Sequence, residues 1–406
     1  MGHLDISPEK YSLGGKINKL GFTLLIVGLV IFGLGVALNT AYPARIFGAL
    51  LYNTYFFLGM GLSATFFVAS QTVGYNGWFI LVKRINEAMG SIIPVAAILM
   101  ILILAFGFHH LYHWSHEGLN DELIDGKRPF LNKQLFWTLT VIYLVGYSVF
   151  WFLIRKNSIG QDESPSYKLY SRSKPLSIFY LILFGIASST AVWHWIMSID
   201  PHWYSTLFGW YCFISIFVTC MSTTALIAWY LKGQGYLKYV NDEHFHDLGK
   251  YMFAFSVAWT YLWISQFMLI WYANIPEETK YFADRWDHYK FFFYINWFIN
   301  FICPFFFLML ARGKRNSGFL AFTALFIIIG HWIDFFLMVM PGVILNNHYT
   351  DSHGHLIGSF GIGFPEIGLF LTYAGLFILI VFRSLGKASL VPTGHPFIKE
   401  SLTHHT

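Results

Sequence analysis

Residues 319–340 read FLAFTALFIIIGHWIDFFLMVM, and the only ionisable side chains among them are His331 and Asp334. A helix rises about 1.5 Å per residue, so a stretch of this length crosses the apolar core of a bilayer, about 30 Å thick. Charge is costly there, so an acid and an imidazole in such a stretch need a reason. Similar apolar runs lie at about 19–38, 46–70, 90–110, 135–154, 176–197, 204–230, 251–272, 289–310 and 365–383. The chain of 406 residues is 56% hydrophobic and only 12% charged, against about 25% charged in an ordinary soluble protein. The expected fold is all-α: a polytopic membrane protein with ten transmembrane helices in a single integral membrane domain, 1–406. The loops are too short for a soluble catalytic appendage.

Lys and Arg concentrate on one side of this arrangement. The N-terminal tail, the even-numbered loops and the C-terminal tail hold nineteen of them, and the odd-numbered loops hold seven. Positive residues near span ends are retained on the cytoplasmic side, so both termini are expected to be cytoplasmic. The first apolar run is too long for a cleavable signal peptide and lacks a small-residue cleavage pattern, so it is expected to serve as an anchor. The net charge of +5 reflects this asymmetry. No basic stripe with interleaved aromatics points to nucleic acid. The three cysteines, Cys212, Cys220 and Cys303, lie within predicted spans, and there is no CxxC or CxxCH. Covalent haem and iron–sulfur ligation are therefore not expected.

Two segments between spans are amphipathic. Gly77–Glu87 (GWFILVKRINE) is expected at the cytoplasmic interface with Lys83 and Arg84 in the headgroups. Pro276–Tyr289 (PEETKYFADRWDHY) is expected on the opposite face, its Pro-Glu-Glu opening suiting a helix N-terminus. A faint internal echo links Trp193-His194-Trp195 in the fifth span with Gly330-His331-Trp332 in the ninth. Those positions would be equivalent if spans two to five and six to nine formed two four-helix bundles.

His331 and Asp334, three apart, share one helix face. Burial disfavours a charged carboxylate while a neighbouring imidazolium favours it, so the pair is a candidate for proton relay or quinol deprotonation. A polar contact locking two helices together is the competing explanation. His194 is followed by Ser198, Asp200 and His202 in the turn SIDPHWYS. Asp200 precedes Pro201, which reads as an ordinary cap for the sixth span, and His194 reads equally well as an interfacial imidazole bonded to a carbonyl. Glu366 follows Pro365 at the start of the tenth span, where the helix dipole alone favours an acid. His331, Asp334, His194, Asp200, His202 and Glu366 are thus the candidates for proton conduction or quinone binding. No residue is assigned as catalytic. The run Phe108–Glu117 (FHHLYHWSHE) puts His109, His113 and His116 on one face but lacks a cysteine partner or HExxH, so no metal site is assigned. His194 with His331 could supply axial ligands to a haem b, although the second half of a dihaem pattern is absent. Aromatic residues such as Trp259, Trp263 and Trp271 suit an interfacial belt, helix packing or a quinone wall.

Ala191–Trp210 (AVWHWIMSIDPHWYSTLFGW) and Phe253–Thr279 (FAFSVAWTYLWISQFMLIWYANIPEET), together with ten spans and cytoplasmic ends, resemble the second quinone-type membrane subunit of bacterial alternative complex III. That complex is a quinol:cytochrome c oxidoreductase of the bacterial inner (cytoplasmic) membrane. The resemblance implies a fold like the NrfD and polysulfide reductase membrane subunits, with two four-helix bundles and two further helices. It implies as partners a sister NrfD-like membrane subunit, multihaem and monohaem cytochrome c subunits, an iron–sulfur subunit, small membrane subunits and lipids, with a terminal oxidase as a further candidate. In that family quinol oxidation is assigned mainly to the sister subunit, so its site residues are not transferred. The chain has no ligands for a redox centre, so electrons would leave through another polypeptide. Its own ligand would be a non-covalent quinone, menaquinone or ubiquinone. A purely structural membrane anchor and a secondary transporter are the alternative functions. Transporters often break helices near a midplane site, and Pro304 in the eighth span is the one feature here of that kind.

Overall fold

Apolar runs become helices in a membrane because every backbone N–H and C=O must be paired within the chain. The computed structural model describes residues 8–12, 14–116, 118, 121–163, 167–347, 349 and 361–405. Glu117, at the end of the histidine-rich run, lies outside them. Ten helices are long and apolar enough to cross a membrane: Gly15–Leu38, Pro43–Val73, Ile80–Leu111, Lys133–Glu163, Tyr167–Ile199, Leu207–Gly233, Asp242–Ala273, Lys290–Leu308, Ser317–Asn346 and Phe364–Leu385. They are called spans one to ten here. No strand occurs among the described residues.

Burial sorts the spans into a centre and a rim. In spans two and six 83% of the apolar window is buried and in span nine 72%, against 17% in span one. Spans two to five pack on one another, as do six to nine, and the two groups meet where span two lies against spans six and nine. Span one touches little but span ten. Its buried positions are Ile17, Gly21, Gly28 and Gly35, while Phe22, Ile26 and Val30 are exposed. The glycines recur every seven residues, and Gly368 and Gly375 answer them from span ten. A Cβ on Gly28 would lie 2.4 Å from the Thr372 backbone nitrogen, so the two backbones are in direct contact. Between lipid-facing helices no hydrophobic effect drives association, and this close approach supplies the dispersion contact instead.

Both termini lie at one end of the bundle. The Leu390 N–H donates to the Glu9 carbonyl at 2.7 Å. The C-terminal segment then runs back across that end, where the Ser401 hydroxyl donates to the Trp78 carbonyl at 2.6 Å and His404 pairs with Asp247 at 2.6 Å. Under this strap the amphipathic segment differs from its expected place. Ile80–Met89 is the first part of span three, broken from the rest by a tight turn at Gly90–Ile92. Lys83 and Arg84 are 4% and 3% exposed and do not reach headgroups. Arg84 instead donates to Glu87 at 2.5 Å, to the Ser158 hydroxyl at 2.9 Å and to Asp162 of span four. A planar guanidinium can hold several acceptors at once, which makes Arg tolerable inside. Burial, with Lys83 and Arg84 nearby, drives His395 of the strap down to about 2 and keeps it neutral.

Candidate functional site

Just past the middle of span nine, on the side away from the termini, Asp334 is 1% exposed. Its Oδ1 accepts from the Tyr211 hydroxyl and from Asn296 Nδ2 at 2.9 Å. Its Oδ2 accepts from Ser215 Oγ at 2.9 Å and Trp259 Nε1 at 2.9 Å. The donors come from spans six, seven and eight. All four are neutral, and together they use the acceptor capacity of a carboxylate. His331 Nδ1 stands 3.8 Å from Asp334 Oδ2, beyond hydrogen-bond length. His331 is 0% exposed, neither ring nitrogen has a hydrogen-bond partner, and its ring meets the Trp259 indole edge to face at 5.5 Å.

Local backbone geometry makes this cluster possible. Span eight carries a π-helical turn at Phe298–Ile302, a wide turn that often marks functional positions. It brings Asn300 behind Asn296, and Asn300 Nδ2 donates to Asn296 Oδ1 at 2.6 Å. Gly330 makes room, since a Cβ there would sit 2.2 Å from Asn300 Oδ1. Pro304 follows the π turn rather than marking a midplane break, because helix resumes at Cys303–Leu308.

A narrow cleft leads from Asp334 toward the distal end between Tyr211, Trp263, Gln266, Tyr281 and Arg285. Its open volume is about 20 Å³, room for about one water. Tyr281 also lines a second small cavity, of about 40 Å³, bordered by Asp200, His202, Glu277 and Asp284. Arg285 stands between them, its guanidinium 3.3 Å from the centre of the Tyr281 ring. Pro341 has no N–H, so the Leu337 carbonyl loses its helical donor. Arg285 Nε replaces it at 2.9 Å, and Nη2 reaches the Met338 carbonyl at 3.2 Å. Nη2 also lies 3.6 Å from Asp200 Oδ2. Burial raises the Asp284 carboxyl above its ordinary range against the pull of Lys280 and Arg285, and burial likewise raises Tyr281.

The remaining candidates are dispersed. Asp200 does not cap span six, which begins at Leu207 after Thr206. Its carboxylate instead accepts from Asn346 Nδ2 at 3.1 Å and lies against Gly342, so partners from span nine outweigh the local Asp-Pro signature. His202, at the edge of the second cavity, pairs with Asp121 at 2.6 Å. His194 has Nδ1 3.0 Å from the Thr190 carbonyl and Nε2 3.3 Å from the Phe130 carbonyl, and its ring lies tilted against that of Phe130, centroids 4.1 Å apart. It shares no contact with His331. Glu366 is paired with Arg45 at 2.8 and 3.0 Å and accepts the Gly363 N–H at 2.8 Å, the cap expected from its position. In the histidine-rich run, His116 Nε2 bonds the His109 carbonyl at 2.9 Å. Among the described residues no three His, Cys, Asp or Glu side chains converge as a metal site.

Asn296, Asn300, Tyr211, Ser215 and Arg285 are the site residues that the sequence did not single out. Asn296 and Asn300, four apart in an apolar span, carry the readable signal, since buried amides also need partners. No protein-family model matches the chain, and no curated protein matches it.

Proposed function

We propose that the chain is a cofactor-free membrane subunit of a respiratory quinol:cytochrome c oxidoreductase of the alternative complex III type. In this reading it has an NrfD-like fold and lies in the bacterial inner membrane with both termini cytoplasmic, and a polar path through it carries protons outward or borders a quinone. The observation that supports this most is Asp334: a buried carboxylate held by four neutral donors beside an imidazole with no partner. No Lys or Arg is committed to it, so a proton relayed along this path would meet no fixed counter-charge. The cleft to Tyr281 and Arg285 and the acidic cavity beyond give that proton a direction. Electrons would pass through the haem and iron–sulfur subunits of the same complex. The cleft is too narrow for a quinone ring as it stands, which favours proton passage over quinone binding within this chain.

Purification of the tagged chain from native membranes in mild detergent tests the assignment. Multihaem cytochrome and an iron–sulfur protein should copurify, and a lone colourless protein would overturn it. Within the complex, Asp334→Asn should lower quinol:cytochrome c turnover or proton release without reducing assembly. A structural anchor is the second reading, because the four donors to Asp334 come from three different spans. It requires the reverse result: less assembled complex, with normal turnover in what survives.

A further inference from the structure

At the termini end, spans four, five and ten leave a groove of about 990 Å³. Five cations line it: Arg155 and Lys156 from span four, Arg172 from span five, Arg383 from the end of span ten and Lys387 just beyond it. Glu163 is the one carboxylate among the lining residues. Among the described residues none of the five cations makes an ion pair. Arg155 is anchored on one side, where Nη2 donates to the Ser384 carbonyl at 2.8 Å, while its buried Nη1 has no partner. Five like charges gathered around the groove face one carboxylate in its lining, with Glu87 attracting Arg155 from behind, so positive charge is in excess there and the groove is electrostatically incomplete.

Its other wall is apolar. Trp151, Phe152, Leu169 and Ile380 line it, and Phe152 is 54% exposed on the rim of the bundle. A soluble anion would satisfy the cations and leave that wall against water. A zwitterionic lipid would cover the wall and bring no net charge. We infer that this groove is a binding site for an anionic diacyl phospholipid, its phosphate among the five cations and its acyl chains against Phe152 and Ile380. Basic pockets between spans at the cytoplasmic boundary bind such headgroups on the same physical grounds, each Lys or Arg adding a similar increment. The site does not depend on the redox assignment.

The test compares the full chain with a triple variant, Lys156→Gln, Arg172→Gln and Lys387→Gln. These are exposed side chains with no intramolecular ion pair. Each protein is purified in mild detergent, and its retained lipids are quantified by mass spectrometry. Each is then melted in phosphatidylcholine nanodiscs with and without phosphatidylglycerol or cardiolipin. The unaltered chain should retain anionic lipid and melt higher in its presence. The variant should melt normally in pure phosphatidylcholine and bind anionic lipid more weakly, by about fivefold for each cation removed. Equal retention by the variant would overturn the site. So would protection of the unaltered chain by inorganic phosphate as strong as that by lipid, which would mark a soluble-anion site. Parallel loss of zwitterionic and anionic lipid would reduce the groove to unselective annular contact.

Discussion

Asp334 and Glu366 are both carboxylates of the distal half, 1% and 0% exposed, yet they are stabilised by opposite means. Glu366 faces a guanidinium that meets it with two nitrogens, and Arg45 goes on to donate to the Asn39 side chain at 3.1 Å and the Gly361 carbonyl at 2.9 Å. That ion pair ties the entry to span two to the entry to span ten. Its charges cancel. Asp334 has dipoles in place of a cation. A carboxylate solvated only by hydroxyl, amide and indole N–H groups can gain a proton without leaving an opposite charge stranded. One site therefore reads as a fastener between two charges and the other as a carboxylate held by dipoles alone.

The strongest way to break this comparison is at the fastener. Arg45→Met leaves Glu366 buried and uncompensated, and removal of one partner from such a pair costs about 3–5 kcal/mol. Thermal unfolding in detergent should fall steeply, and the double change Arg45→Met with Glu366→Met should recover most of the loss. If the single change leaves the melting temperature unaltered, the pair is not a fastener.

Asp334→Asn should cost less, about 1–2 kcal/mol. The Trp259 indole can only donate, so the new amide oxygen must stay on its side, leaving the NH₂ facing Tyr211 and Asn296. Those two can adapt: the phenol can rotate to accept, and Asn296 can turn its oxygen inward if Asn300, whose Oδ1 is unbonded, turns with it. The prediction is a protein that folds and melts nearly as before but has lost its chargeable group. Melting and proton release measured on the same preparation separate these effects. A large drop in stability would move Asp334 into the class of Glu366.

His331 sharpens the contrast further. A buried imidazole with neither nitrogen bonded is a net cost in a resting protein, so His331→Met should leave stability unchanged or raise it by about 1 kcal/mol. The equivalent change at His194, which has carbonyls against both nitrogens, should lower stability by a similar amount. If both substitutions destabilise alike, the unpartnered state of His331 carries no functional meaning.

Much of this was legible from residue type and spacing. The ten apolar runs predict the ten spans, and His331 with Asp334 stand out because acid and imidazole are rare in such runs. The helices extend beyond the apolar runs chiefly at charged ends. Span four continues past Arg155 and Lys156 to Glu163, and span seven starts at Asp242 because Asn241 caps it, accepting from the Glu243 and His244 N–H groups. Hydropathy registers where lipid contact stops, whereas the backbone continues wherever its hydrogen bonds can. Glu87 is in local reach of Lys83 and Arg84 at i+4 and i+3, but they read as headgroup cations because nothing local announces Ser158 and Asp162 as further partners brought together by folding. Asp200 failed in the same way: a sound local capping motif was overridden by Asn346 and Arg285 from distant elements. The π turn that presents Asn300 has no sequence signature of its own, but two amides four apart in an apolar span were a cue that attention to ionisable groups alone passed over.

Another carboxylate of the distal end extends the comparison, because Asp121 is solvated. It caps the helix Glu122–Lys127 through the Leu123 and Ile124 N–H groups at 3.0 and 3.2 Å, and it pairs with His202 at 2.6 Å. The hydrogen bond from His202, followed by that from the Ile124 backbone, lowers the Asp121 carboxyl below its ordinary range. A carboxyl depressed in the folded state stabilises above its unfolded value and loses that contribution as pH falls through the folded value. The contribution is therefore fully present at neutral pH and is lost only in acid, below the ordinary Asp range of about 4. His202 is about half exposed, so water and salt screen the pair. His202→Gln should lower melting at neutral pH only marginally, and on acidification the Leu123 and Ile124 amides should lose their exchange protection at a higher pH than in the unaltered chain. If melting at neutral pH instead falls as far as in Arg45→Met, then burial is not what separates the strong carboxylate sites from the weak one.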